Sequence, residues 1–331
     1  MRSLLLEGHA DAIAELVDRM FNVPAGTGIT YRSFGAHVLM MMGNFKRITS
    51  LTPPFDRWGA VKETQASFWI PVLAGREFGG IFIAERLLMA VPYVFVDNPM
   101  SYLGGREDYG YAKVMGRFDP ALGLADHVTL EAFGGDFGRA EGADWRKFLE
   151  LTASGARRAP DQRPQHTGTM PLVQLLIGDG TDVKEGEDLV VSDIQFTAAL
   201  IDDLFAGRMC QIFLKEFRDA ADGTRACYQA VVEAPVQIQR IAWSLTERDW
   251  SITLHPLDSH PIDRELGVDS QQADIALDME IDFVVENGRE VGRVVGSPGP
   301  VTRLPPVPHY GPIGFVESAA RWAWREFSKH L

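Results

Sequence analysis

Apolar positions along this chain change period as the chain proceeds. Over residues 9–21, Ile13, Leu16, Val17, Met20 and Phe21 recur at three- and four-residue intervals, which predicts an amphipathic helix closed by Asn22-Val23-Pro24. From residue 37 the apolar residues instead run together or alternate. Residues 37–42, H-V-L-M-M-M, read as a buried strand, and residues 63–72 as the next. A turn is expected at 75–80, then two short strands at 81–88 and 93–96 on either side of Pro92, and another strand at 128–133. Helices are predicted at 144–151 and from the Ser192-Asp193 cap to Phe205, ahead of Gly207. Beyond it the strand pattern returns at 211–218, 227–236, 238–245, 250–255 and 275–286, with Asp222-Gly223 and Asn287-Gly288 as turn signals. Repeated strands with few helices predict an α+β chain, mostly antiparallel, forming a barrel or sandwich around one core. From residue 296 the prolines of Ser297-Pro298-Gly299-Pro300 and Leu304-Pro305-Pro306-Val307-Pro308 predict an extended segment. It leads to a C-terminal helix at 315–329 that carries Phe315, Ala319, Trp322 and Phe327.

Composition narrows the classes of function. With 331 residues, 46% of them hydrophobic, the chain can bury a large core. A net charge of −13 and the lack of any basic stripe argue against nucleic acid as a partner. Two cysteines, Cys210 and Cys227, with no C-x-x-C pair give neither a disulfide framework nor a thiolate zinc site, and fit a reducing cytoplasm. The start, with Arg2 and Leu4 to Leu6, lacks the apolar core of a secretory signal, and no run reaches the ~18 apolar residues of a membrane span. No Gly-x-Ser-x-Gly elbow, phosphate-binding loop, dinucleotide fingerprint or His-Glu-x-x-His occurs. His255, Asp258 and His260 lie on one Pro-containing loop without further convergent ligands, so no metal is assigned.

One lysine stands out. Lys113 sits inside the apolar and aromatic run Tyr109-Gly110-Tyr111-Ala112-Lys113-Val114-Met115, with Arg106, Glu107 and Asp108 crowded just upstream. A lysine buried there loses proton affinity and becomes an amine able to attack a carbonyl and form a Schiff base. The plainer alternative is a snorkelling side chain whose head reaches water. The segment Gly105-Arg106-Glu107 followed by Tyr111-Ala112-Lys113 resembles the signature of the acetoacetate decarboxylase family, a Gly-Arg-Glu and then an aromatic-Pro-Lys. Flanking stretches resemble that family in the same order. They are Phe68-Trp69-Ile70-Pro71-Val72, Tyr93-Val94-Phe95-Val96-Asp97-Asn98, Ile212-Phe213-Leu214-Lys215, Ala230-Val231-Val232 and His255-Pro256-Leu257. The resemblance covers roughly residues 9–140 and 205–286.

The resemblance implies a single acetoacetate decarboxylase-like domain over residues 1–295, interrupted by an insertion at about 134–192. It also implies a cofactor-independent lyase that uses Lys113 as Schiff-base nucleophile on a small oxo-acid, and a homo-oligomer. Arg106, Glu107 and Tyr111 become substrate-binding candidates. The active-site acid falls on Gln65 by counting back from Ile70-Pro71, while Glu63, two residues earlier, shares its strand face, so both remain candidates. An arginine from a strand ahead of the first helix is also implied, and Arg2 is the only candidate. The family's second lysine is replaced by Val114 and its proline by Ala112. With Val114 a neighbouring cation is lost, but desolvation still favours the free amine. Decarboxylation of a 3-oxo acid and aldol, dehydration or cyclisation chemistry on 2-oxo acids are both open. So is a non-catalytic member that binds a small ligand, with Lys113 merely buried or paired to Glu107.

Overall fold

The computed structural model describes residues 1–25, 28–120, 125–137, 142–163, 165–167, 208–222 and 225–295. The helices expected at 192–205 and 315–329 and the Pro-rich segment after 296 lie outside the described residues. What is described is dominated by strands: β1 (Arg2–Glu7), β2 (Thr30–Ser33), β3 (His37–Ile48), β4 (Val61–Phe78), β5 (Ile81–Val96), β6 (Lys113–Asp119), β7 (His127–Gly134) and β8 (Asp144–Ser154), continuing with β9 (His166–Thr167), β10 (Arg208–Arg218), β11 (Ala226–Leu245), β12 (Asp249–Leu254), β13 (Gln271–Gln272), β14 (Ile275–Val285) and β15 (Arg289–Val295). Among them only β5–β6 and β5–β10 pair in parallel, so the sheet is mostly antiparallel, as expected. No helix among the described residues is long and apolar enough to cross a membrane.

Seven strands return on themselves: β4 pairs β3, and the chain of pairings runs through β1, β14, β11, β10 and β5 back to β4. From β5 an antiparallel wing leaves through β6, β7, β8, β12 and β13. Within β3, β4 and β5 both faces are apolar, which gives the continuous runs seen in the sequence, whereas β14 alternates with Asp278, Glu280 and Asp282. On β3, Val38, Met40 and Met42 are fully buried in the main core with Ile13, Leu16, Val17 and Phe21 of the N-terminal helix region. That helix, Ala10–Val17, continues through a π turn to Asn22, close to the span its periodicity predicts. The intervening residues Leu39 and Met41 point the other way, into the ring.

Several expectations are corrected, most of them at a bulge. The separate strands at 81–88 and 93–96 are one strand, β5. Pro92 falls where the β4–β5 register shifts between Phe68 and Ile70, and on its other side between the stretches paired with β10 and β6, so its missing N–H interrupts no ladder. The turn expected at 75–80 is confined to Gly79-Gly80, both at positive φ. Residues 144–151 are not a helix but most of β8. The register slips between Leu130 and Glu131 of β7, leaving Phe148 unpaired and turning both Phe148 and Leu149 inward. This bulge mimics helical spacing in the apolar pattern, and it makes the first part of the proposed insertion an integral strand between β7 and β12. Residues 227–245 likewise form one strand, β11, bent at a register shift between Ile238 and Arg240.

Candidate active site

Lys113 is the first residue of β6, and the chain is brought to it by a single connection. At the end of β5, Asp97 Oδ1 accepts the Thr64 amide at 2.7 Å, and the Asn98 side chain donates to the Lys62 carbonyl at 2.8 Å, pinning the connection to β4. Asn98 then caps the helix Pro99–Asp108 by accepting from the amides of Met100 and Ser101, with Pro99 in the first turn. The helix returns the chain so that β6 runs parallel to β5, with Lys113 opposite Val94. Its exit requires glycine at position 110, where φ is 91° and a Cβ would lie 2.7 Å from the Lys215 Cα.

Within this frame the Lys113 side chain is 7% exposed as a residue and lies beneath the helix. Its Nζ donates to Ser101 Oγ at 2.6 Å and stands 3.7 Å from Glu63 Oε2 and 5.6 Å from the centre of the Tyr111 ring. Ser101 also hydrogen-bonds Glu63, whereas the Glu63 oxygen 3.7 Å from the amine is buried with no hydrogen-bond partner among the described residues. Burial is the largest influence on both charges. It pushes the Lys113 ammonium below the usual lysine range, against the opposing pull of Glu63, and pushes the Glu63 carboxyl above the usual carboxylate range, against that of Lys113. The pair is thereby shifted toward a neutral amine beside a protonated acid, which is a nucleophile next to a proton donor.

Tyr111 packs its ring on Phe213 and donates its hydroxyl to Gln211, whose side chain is also buried. Burial raises the Tyr111 phenol, so it stays a donor. Gln65 lines the same cavity and donates to Ser67 Oγ at 3.2 Å, which in turn accepts the Trp69 indole N–H at 2.8 Å.

Of the residues singled out in the sequence, Lys113, Glu63, Gln65 and Tyr111 therefore line one cavity. Arg106, Glu107 and Arg2 do not. Arg106 is exposed and donates to the Lys113 carbonyl at 3.1 Å, holding the start of β6 rather than facing the cavity. Glu107 is exposed on the helix, and the partner of the lysine is Glu63 instead. Arg2 pairs with Asp278 at 3.0 Å and lies 3.8 Å over the Trp250 ring, on the opposite side of the ring wall. Val114, the next strand residue after Lys113, packs on the main core. Ser101 and Gln211 were missed. Ser101 stands one helical turn before Gly105, and Gln211 interrupts the apolar run of β10 as a lone amide. The two histidines of the 255–260 loop part company: His255 meets Glu150 at 2.8 Å, and His260 meets Ser259 at 2.8 Å between the rings of Phe95 and Phe148.

The glycine of the Gly-Arg-Glu segment has a direct physical reason. A Cβ on Gly105 would fall 2.8 Å from Lys113 Cε, 2.9 Å from Cδ and 3.2 Å from Nζ. Because a flexible side chain end gives way more readily than backbone, Gly105→Ala is expected to keep the fold, with stability within about 1 kcal/mol of the parent. The displaced amine should react at least ~10-fold more slowly, since an ångström of misplacement can cost about 100-fold. Thermal melts alongside the rate of hydride trapping of a bound oxo-acid would separate the two effects.

No family model matches the chain, and no curated protein matches it. Among solved structures it is similar to acetoacetate decarboxylase from Legionella pneumophila, with 11% identity over 88% of this chain and 85% of that one and a TM-score of 0.48. A further similarity is to the enduracididine biosynthesis enzyme MppR with HEPES bound, at 10% identity over 88% and 85% with a TM-score of 0.45. An acetoacetate decarboxylase-like enzyme from Sphingomonas wittichii RW1 is 14% identical over 92% and 89%, with a TM-score of 0.42. The chain is thus similar in structure, at low identity, to acetoacetate decarboxylase and to acetoacetate decarboxylase-like enzymes.

Proposed function

We propose that the protein is a cofactor-independent lyase whose Lys113 forms an imine with a small oxo-acid. The observation that carries this reading is the buried amine in a cavity wall, 2.6 Å from Ser101 Oγ and 3.7 Å from a Glu63 oxygen that has no hydrogen-bond partner among the described residues. The resemblance of Gly105-Arg106-Glu107 and Tyr111-Ala112-Lys113 to the acetoacetate decarboxylase signature supports it independently.

In this reading the neutral amine adds to the substrate carbonyl carbon, and the carbonyl oxygen takes a proton from the Glu63 carboxyl. The nitrogen of the adduct then returns a proton to the Glu63 carboxylate, which passes it to the new hydroxyl, so that the oxygen leaves as water and the protonated imine remains on Lys113. The iminium accepts the electron pair of the bond broken next, either the bond to a departing carbon dioxide or a carbon–hydrogen bond whose proton passes to Glu63. Decarboxylation and aldol or dehydration chemistry both begin there. The resulting enamine is protonated or attacks an aldehyde, and water hydrolyses the imine to return the amine. Tyr111, held by Gln211, and Gln65 supply hydrogen bonds to the substrate, while Arg106 fixes the backbone of Lys113.

The test is borohydride reduction in the presence of acetoacetate or pyruvate, followed by intact mass and peptide mapping. A reduced adduct on the Lys113 peptide supports the lyase reading. Silence across a panel of oxo-acids would leave a ligand-binding member of the same fold as the better description.

A further inference from the structure

The cavity that holds Lys113 has a volume of about 2270 Å³. That is more than twice the ~300–1,000 Å³ of ordinary small-molecule sites, and far more than pyruvate or acetoacetate needs. Much of its wall is formed by residues of the strand ring, with the 49–60 loop and the helix Pro99–Asp108 completing it. Leu39 and Met41 of β3, Met89 of β5, Met209 of β10 and Val285 of β14 are only partly buried, in contrast to the fully buried opposite face of β3. These residues belong to one apolar cluster with Tyr109 and Tyr111, so the greasy surface begins beside the lysine and continues away from it. Two of the cations along the wall are already answered: Arg86 is held in a fork by Glu233 at 2.7 and 2.8 Å, and Arg240 by Asp282 at 2.8 Å. Along Leu39, Met41, Met89 and Val285 themselves a polar or charged substituent would meet apolar side chains.

We infer that the oxo-acid taken by Lys113 carries an extended apolar tail, a linear alkyl chain being the simplest case, which lies along Leu39, Met41, Met89 and Val285. This rests on the imine reading for the position of the carbonyl, but tail binding itself needs no imine. Each methylene moved from water into such a wall strengthens binding roughly three- to fourfold.

The experiment compares pyruvate with 2-oxooctanoate in borohydride trapping, and measures octanoate binding to the wild type and to Lys113→Met by calorimetry. The expected result is half-saturation by 2-oxooctanoate at a concentration at least ~100-fold below that of pyruvate, allowing for part of its five extra methylenes. Octanoate should bind both proteins with similar affinity, and Met41→Trp, checked for a native melt, should weaken octanoate at least ~10-fold. Octanoate binding without any adduct would sustain the tail site and remove the imine reading. Adduct formation with pyruvate and no gain from the longer chain, or no octanoate binding, would overturn the tail inference and leave the imine reading standing.

Discussion

Lys113→Met is expected to abolish the borohydride-dependent adduct, to lower turnover of the true substrate by at least ~10³-fold, and to make the protein more stable at neutral pH. The loss follows from removing the amine that forms the covalent intermediate in the proposed mechanism; deleting a nucleophile elsewhere has cost up to about 10⁶-fold. The gain follows from burial. In the unfolded chain the lysine holds its proton up to its ordinary pKa, whereas in the folded protein desolvation lowers that value. The unfolded state therefore binds more protons in the window between the folded and unfolded pKa values. Stability lost to Lys113 is fully lost below that window and is recovered as pH rises through it. Methionine fills a similar volume without the charge, and Glu63, already pushed toward its protonated form, keeps its bond to Ser101. A gain on the order of 1–3 kcal/mol at pH 7 is expected, within the range seen when buried charges are replaced by apolar groups. It should shrink toward pH 10. Urea melts of the two proteins at several pH values would measure it. An adduct that survives in Lys113→Met would place the nucleophile elsewhere, and a destabilised variant would mean that the amine is charged and well paired in the wild type.

How far the site could be read from the sequence depends on how each contact is made. Lys113 was legible because an isolated lysine in an aromatic run is chemically unusual, and Tyr111 came with it. The choice between Glu63 and Gln65 was not, because both lie on one face of β4 and strand counting cannot rank them. It is decided by the helix Pro99–Asp108, whose first turn is tied to Lys62 and Thr64 through Asn98 and Asp97, so that Ser101 sits against Glu63 rather than Gln65. A contact that passes through a crossing helix leaves no period in the sequence. Arg106 and Glu107 misled for a related reason. They are adjacent to the glycine in sequence, but on a helix it is Gly105 and Ser101, four residues apart, that share the face against the lysine. In the fold, the strand composition was plain; the helix Pro99–Asp108 and the strands β1, β2, β6 and β15 were not foreseen, and several of the foreseen boundaries erred at bulges. Phe148 imitates a helical repeat, and Pro92 marks a register shift rather than a strand end.

Glu63→Gln should lower the rate of adduct formation by ~10²–10⁴-fold, the usual contribution of a general acid or base. Its effect on pH dependence is more diagnostic than its size. In the wild type, adduct formation needs an unprotonated amine and a protonated carboxyl. The rate should rise with pH as the amine is freed and fall as the carboxyl ionises, giving a bell whose two apparent values belong to the pair. Glutamine keeps the shape and can still bond Ser101, but it cannot donate the proton that releases water, so the descending limb should vanish. Glu63 is also what raises the affinity of Lys113 for its proton against the effect of burial. Without it the amine is freed at lower pH, and the ascending limb should move toward acid. A structural role alone would lower the rate without moving either limb. A descending limb that persists in Glu63→Gln would assign the acid to another group, with Gln65 unable to supply it and Tyr111 held protonated by its burial. An ascending limb that moves toward alkali would mean that the carboxylate does not face the amine at all. The direction of that one shift therefore tests the contact between Glu63 and Lys113 on which the proposed chemistry depends.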